Sequence, residues 1–206
     1  MPCDIIPPMN RRPTEASLLA RALALVLPAI AVLAAAGNAA ALGIPFSTAS
    51  GHVVQRQPGA GTCHARGSGL YATPDPHCTP GALNPAVRQA SIDATICRAG
   101  WTATVRPPES ITAREKLMSM DAYGDGARTS AYEYDHLVPL ELGGAVNDPR
   151  NLWPEPDYPL RAGFYLNPKD RLERALNRLV CKRRMSLAAA QRLIAREWPT
   201  AFGAYG

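Results

Sequence analysis

The longest apolar run comes early. Residues 22–36, ALALVLPAIAVLAAA, place fifteen apolar positions in a row, after Arg11, Arg12 and Arg21 and before the small-residue stretch GNAAALG. A helix needs about 20 such residues to cross a bilayer. The basic flank, the short core and the small-residue exit are those of a secretory signal peptide. Residues 1–41 are therefore expected to be removed on export, leaving no stable membrane association, with an uncleaved signal anchor as the alternative. Residues 44–90 are rich in Gly, Pro, Ser and Thr and keep neither a helical nor a strand period. Residues 42–62 are expected to form a flexible lead and residues 63–206 the folded domain.

Periodicity returns further along. The stretch ATICRAGWTATVRPP predicts a short strand over Trp101–Val105, ended by Pro107 and Pro108. Thr112 and Glu115 have capping-box spacing and predict a short helix from residue 112. YEYDHLVPLELGG, residues 132–144, carries a strand pattern stopped by two glycines, and NLWPEP, residues 151–156, carries a second. Their Gly- and Asn-rich connector predicts an antiparallel hairpin with a wide loop. Asn167 suits an N-cap, Pro168 the first helical position and Asp170 the first turn, so a helix is expected there, with Leu172, Leu176, Leu179 and Val180 on its apolar face. Ser186 can cap a last helix that turns Leu187, Leu193, Ile194 and Trp198 inward. The expected fold class is α+β.

Charge and cysteine content sharpen this picture. The net charge is +5, but residues 161–196 hold ten basic residues against only Asp170 and Glu173. So local an excess points to a polyanionic partner. Of five cysteines, Cys3 lies in the segment expected to be removed, leaving Cys63, Cys78, Cys97 and Cys181. An even number behind an export signal suits a disulfide framework in a secreted, periplasmic or cell-envelope protein. Three pairings are possible; Cys63 with Cys78 and Cys97 with Cys181 are favoured. A zinc site is disfavoured because no C-x-x-C occurs.

The candidate chemistry lies in the hairpin. Asp135 and His136 stand together on the first strand, Asn151 follows His136 by fifteen residues, and a capped helix comes after the second strand. This arrangement resembles the ββα-metal nuclease motif, HNH. The run DHLVPLELGG with NLWP and KDRLE downstream is similar to secreted bacterial HNH-endonuclease-like proteins, over roughly residues 75–200. The resemblance implies a ββα-metal core and a low-specificity endonuclease acting on DNA, with RNA as an alternative substrate. It makes His136 the general base, Asn151 the residue that fixes the loop, and Asp135 a metal ligand, with Asp170 and Glu173 as carboxylate candidates on the helix. Carboxylates favour a hard divalent cation, Mg²⁺ or Mn²⁺ ahead of Ca²⁺. Bringing adjacent Asp and His to one phosphate requires a bulge or a strand end between Tyr134 and Leu137. Arg171, Arg174 and Arg178, spaced by three and four on one helix face, are expected to contact phosphates with Lys169 beside them. The competing expectation is a catalytically inert ββα module with a binding or structural role at the cell envelope.

Overall fold

The computed structural model describes residues 43–126, 128–157, 159–161, 164–165 and 167–206. The expected signal segment, residues 1–41, lies outside the described residues. The rest is a small α+β domain. Its helices are α1 (Trp101–Val105), α2 (Glu109–Tyr123), α3 (Pro168–Cys181) and α4 (Leu187–Tyr205); its strands are β1 (Tyr132–His136), β2 (Leu152–Pro156), β3 (Pro159–Arg161) and β4 (Phe164–Tyr165). β1 pairs antiparallel with β2, and β3 with β4, as two separate two-stranded sheets.

Local chemistry explains where the long helices start. Asn167 accepts from the Lys169 backbone N–H at 2.9 Å ahead of Pro168, and the Ser186 hydroxyl accepts from Ala189 N–H at 3.3 Å. Each cap satisfies a donor that the first helical turn leaves open. α4 is kinked at Glu197, whose φ is −136°, two residues before Pro199, a residue that cannot donate to the preceding turn. The two helices pack together, and their apolar faces, with Leu172, Leu176 and Ile194, meet Ile92, Leu137 and Leu142 in the main core.

Two elements differ from expectation. Trp101–Val105 is a helical turn rather than a strand: Gly100 enters it with φ of +76°, Thr104 Oγ1 donates to the Trp101 carbonyl, and the Trp101 side chain is buried. α2 begins at Glu109, behind Pro108, not at residue 112. Thr112 lies inside the helix, and Glu115 is fully buried, accepting from the Gln55 N–H at 2.6 Å. That bond also holds part of the stretch expected as a lead onto the domain. Ser47 N–H donates to the Leu83 carbonyl, Gly61 N–H to that of Asp121, and Asn147 Nδ2 to the carbonyls of Ser50 and Val53.

Disulfides join Cys63 to Cys78 and Cys97 to Cys181. The second ties the end of α3 to the segment before α1. The β1–β2 connector is equally pinned. Gly143 ends the Leu140–Leu142 turn with φ of +76°, a conformation suited to glycine. A Cβ on Gly144 would collide with the Val138 carbonyl oxygen. Asn177 on α3 donates to the Glu141 carbonyl at 2.8 Å, and Gln191 on α4 to that of Leu142 at 2.9 Å. Both helices therefore clasp the loop that follows β1.

Candidate functional site

β1 and β2 pair without interruption from Tyr132 opposite Pro156 to His136 opposite Leu152. No bulge intervenes, and β1 simply ends at His136. Strand alternation therefore holds through the Asp-His pair, and the two side chains part. Asp135 meets α3, while His136 Nε2 lies 3.0 Å from the Val146 carbonyl oxygen.

The centre of the Asp135 side is a lysine. Lys169, in the first turn of α3, is 1% exposed. Its ammonium donates to Asp135 Oδ2 at 2.5 Å, to Glu173 Oε1 at 2.5 Å and to the His136 carbonyl at 2.8 Å. An ammonium has three protons, and all three are used. Glu155 of β2, 2% exposed, stands 3.7 Å away as an ion-pair partner beyond hydrogen-bond range. Burial alone would strip the charge from Lys169, but Asp135, Glu173 and Glu155 outweigh it and hold its pKa well above the ordinary lysine value.

Burial works against the charged form of all three carboxylates around this cation. Burial pushes Glu173 up to about 8 against the pull of Lys169, and pushes Glu155 well above its usual range. Asp135 ends on the other side. Burial would raise it, but the charge of Lys169, which also donates to it, brings it below the usual carboxylate range. Both Glu155 carboxylate oxygens are buried without a hydrogen-bond partner.

This arrangement overturns the metal-site expectation. Asp135 and Glu173, two of the expected ligands, are bound to an ammonium standing between them. Asp170, the third, makes neither a hydrogen bond nor an ion pair with Lys169 in this group; burial, with Asp135 next, raises its pKa. Among the described residues no group of three or more His, Cys, Asp or Glu is placed to hold a metal ion. Mg²⁺, Mn²⁺ and Ca²⁺ have no ligand set here, and the residues do not fit the HNH pattern. Lys169 is likewise no surface phosphate contact, since its ammonium is buried and saturated.

His136 is held neutral on the loop side of β1. A carbonyl only accepts, so Nε2 carries the proton in its bond to Val146. Burial lowers the pKa to about 4, with Arg106 and Lys169 adding to it and the Val146 bond and Asp135 opposing. The ring is held neutral as a strut between β1 and the loop. An NMR titration should find it uncharged down to about pH 4. The unfolded chain protonates this histidine near 6.5, so the neutral ring stabilises the fold above that value and the contribution is lost as pH falls toward 4. Relative to His136→Gln, the native chain should lose stability over that interval; a ring titrating near 6.5 would contradict the assignment.

Asn151 works in the same loop. Its Oδ1 accepts from Val138 N–H at 2.9 Å, and its Nδ2 donates to the carbonyls of Val138 at 2.9 Å and Ala145 at 3.1 Å. It closes the connector back onto the start of β2. Arg171, Arg174 and Arg178 are exposed on the outer face of α3, and the Arg171 guanidinium lies 5.4 Å from the centre of the Phe202 ring. Lys169 and Glu155 are the residues whose roles sequence reasoning missed. The Lys169-x-x-x-Glu173 spacing is an ion-pair signal, but nothing in it says that the pair is buried.

No family model, curated protein or solved structure matches this chain. The likeness to HNH endonucleases is therefore not supported by any relative, and the site geometry contradicts it.

Proposed function

We propose that this chain is a non-catalytic binding module, exported to the cell envelope, that uses the outer face of α3 to hold nucleic acid. The observation that carries the non-catalytic part is the saturated Lys169 ammonium amid Asp135, Glu173 and Glu155. An internal cation joins hairpin to helix, so β1, β2 and α3 are read as a ββα unit organised around an ammonium. Export is supported by the apolar run after Arg21 and by the two disulfides.

The binding part is supported by the two faces of α3. Leu172, Leu176 and Val180 are buried, whereas Arg171, Arg174 and Arg178 face solvent. Each arginine that neutralises a phosphate releases condensed counterions and steepens the salt dependence of binding. Replacing all three with Gln should weaken binding of single-stranded DNA or RNA. It should also flatten the log–log salt slope by about 0.7 for each phosphate no longer neutralised. An unchanged slope would assign the stripe to solvation alone. In the same samples, plasmid with Mg²⁺ or Mn²⁺ should remain intact; nicking abolished by chelator would contradict the non-catalytic reading.

A further inference from the structure

A second feature lies beside the Cys97–Cys181 disulfide. A cleft of about 360 Å³ opens there, with Arg98, Arg178, Lys182, Glu141 and Asn177 among its lining residues. Arg98, Arg178 and Lys182 are exposed, so their charges can converge on a ligand without first breaking a buried ion pair. Glu141 is different: its Oε1 is buried and no donor reaches it. The half-buried Glu141 side chain lines the cleft, and a carboxylate on such a wall accepts a charge-assisted hydrogen bond from a ligand N–H or O–H.

The walls are fixed before any ligand arrives. The disulfide joins the Ile96–Cys97 segment to the end of α3, and Asn177 Nδ2 donates to the carbonyls of both Ile96 and Glu141. Preorganisation of this kind reduces the ordering cost of binding. Three cations with one unsatisfied carboxylate do not suit a bare anion, which Glu141 repels. They suit an anion that carries hydrogen-bond donors a few ångströms away.

We infer that this cleft takes one nucleotide unit of a single strand, its phosphate toward Arg98, Arg178 and Lys182 and a sugar hydroxyl or base N–H toward Glu141. The inference rests on the nucleic-acid reading for the identity of the polymer. The volume is near the lower end for ligand pockets, enough for a single unit. Arg178 belongs to both the helix stripe and the cleft, so a strand running along α3 reaches the cleft at that residue. Duplex would present its phosphates but keep its bases stacked, whereas a single strand can splay a unit into a pocket.

Titration of the purified chain with inorganic phosphate, a ribonucleoside 5′-monophosphate and the parent nucleoside, followed by NMR, tests this directly. The nucleotide should bind at least about tenfold more tightly than phosphate, the gain expected from one hydrogen bond to a charged acceptor. Its shifts should centre on residues 96–102, 141 and 177–182. Glu141→Ala should remove the nucleotide's advantage while leaving phosphate affinity equal or higher; Arg98→Gln and Lys182→Gln should weaken both ligands. The Glu141 carboxylate has no hydrogen bond to lose, and circular dichroism would verify that this variant folds. Equal affinity for phosphate and nucleotide, shifts centred elsewhere, or an unchanged nucleotide affinity in Glu141→Ala would overturn the assignment. Strand binding is judged separately by the Arg171 and Arg174 variants. Nucleotide binding without strand binding would support the cleft and reject the polymer.

Discussion

Replacing Lys169 with methionine is expected to lower the free energy of unfolding by about 3–5 kcal/mol, the usual cost of removing one partner from a buried ion pair. Methionine keeps most of the volume but none of the three donors. Asp135, Glu173 and the His136 carbonyl would each lose the hydrogen bond they now accept. The pH dependence identifies the cause. In the native chain the low pKa of Asp135 contributes stability above the unfolded carboxylate value, and this is lost as pH falls through the folded value. Without Lys169 burial dominates, the Asp135 pKa rises, and the variant should become more stable on acidification from neutrality toward pH 5. Adding Asp135→Asn should recover much of the loss, giving a large coupling in a double-mutant cycle. Urea denaturation of the four proteins across pH measures all of this. Additive single effects would mean that Lys169 acts by packing alone.

The Cys97–Cys181 bond should contribute about as much. It spans 84 residues, against 15 for Cys63–Cys78. On the chain-entropy account, closing the longer loop stabilises by about 4–5 kcal/mol and closing the shorter by about 3. Exchanging Cys97 and Cys181 for serine should therefore lower the denaturant midpoint more than exchanging Cys63 and Cys78, under non-reducing conditions. The longer bridge has a second function: it holds α3 against the Ile96 segment and so maintains the basic cleft. Its removal should weaken nucleotide binding even where the chain remains folded, whereas removal of the shorter bridge should not. The reverse order of either effect would contradict this division of labour.

The elements most legible in the sequence were those set by local chemistry. Asn167 with Pro168, and Ser186 ahead of Leu187, announce helices because capping needs only a few neighbouring residues. The hairpin was legible from two strand patterns flanking a Gly- and Asn-rich connector. Trp101–Val105 was not, because five residues cannot establish a period, and the β-branched and aromatic preference of Trp-Thr-Ala-Thr-Val favours a strand. Burial of Trp101 in the core decided otherwise. Pro108, rather than the Thr112–Glu115 spacing, set the start of α2, because Glu115 is occupied with Gln55.

At the site, Asp135, His136, Asn151, Lys169 and Glu173 were all legible as unusual residues. Their association was legible only in part. A lysine in the first turn of a helix reads as a solvated charge, since the positive end of the dipole disfavours it and burial makes it costlier. Its burial is made tolerable by Glu173 on the same helix together with Asp135, the His136 carbonyl and Glu155 from the two strands, and that convergence is a property of tertiary structure. The same convergence explains why carboxylates with the composition of a metal site do not form one. The counter-ion they need is supplied by the chain itself.

Equilibrium dialysis of the purified chain against Mn²⁺ at neutral pH, with retained metal counted per chain, tests that claim most directly. If the Lys169 ammonium fills the centre, the native chain should retain no stoichiometric Mn²⁺, and Asp135→Ala or Glu173→Ala should leave the result unchanged. Retention of one Mn²⁺ per chain, lost in either variant, would contradict it.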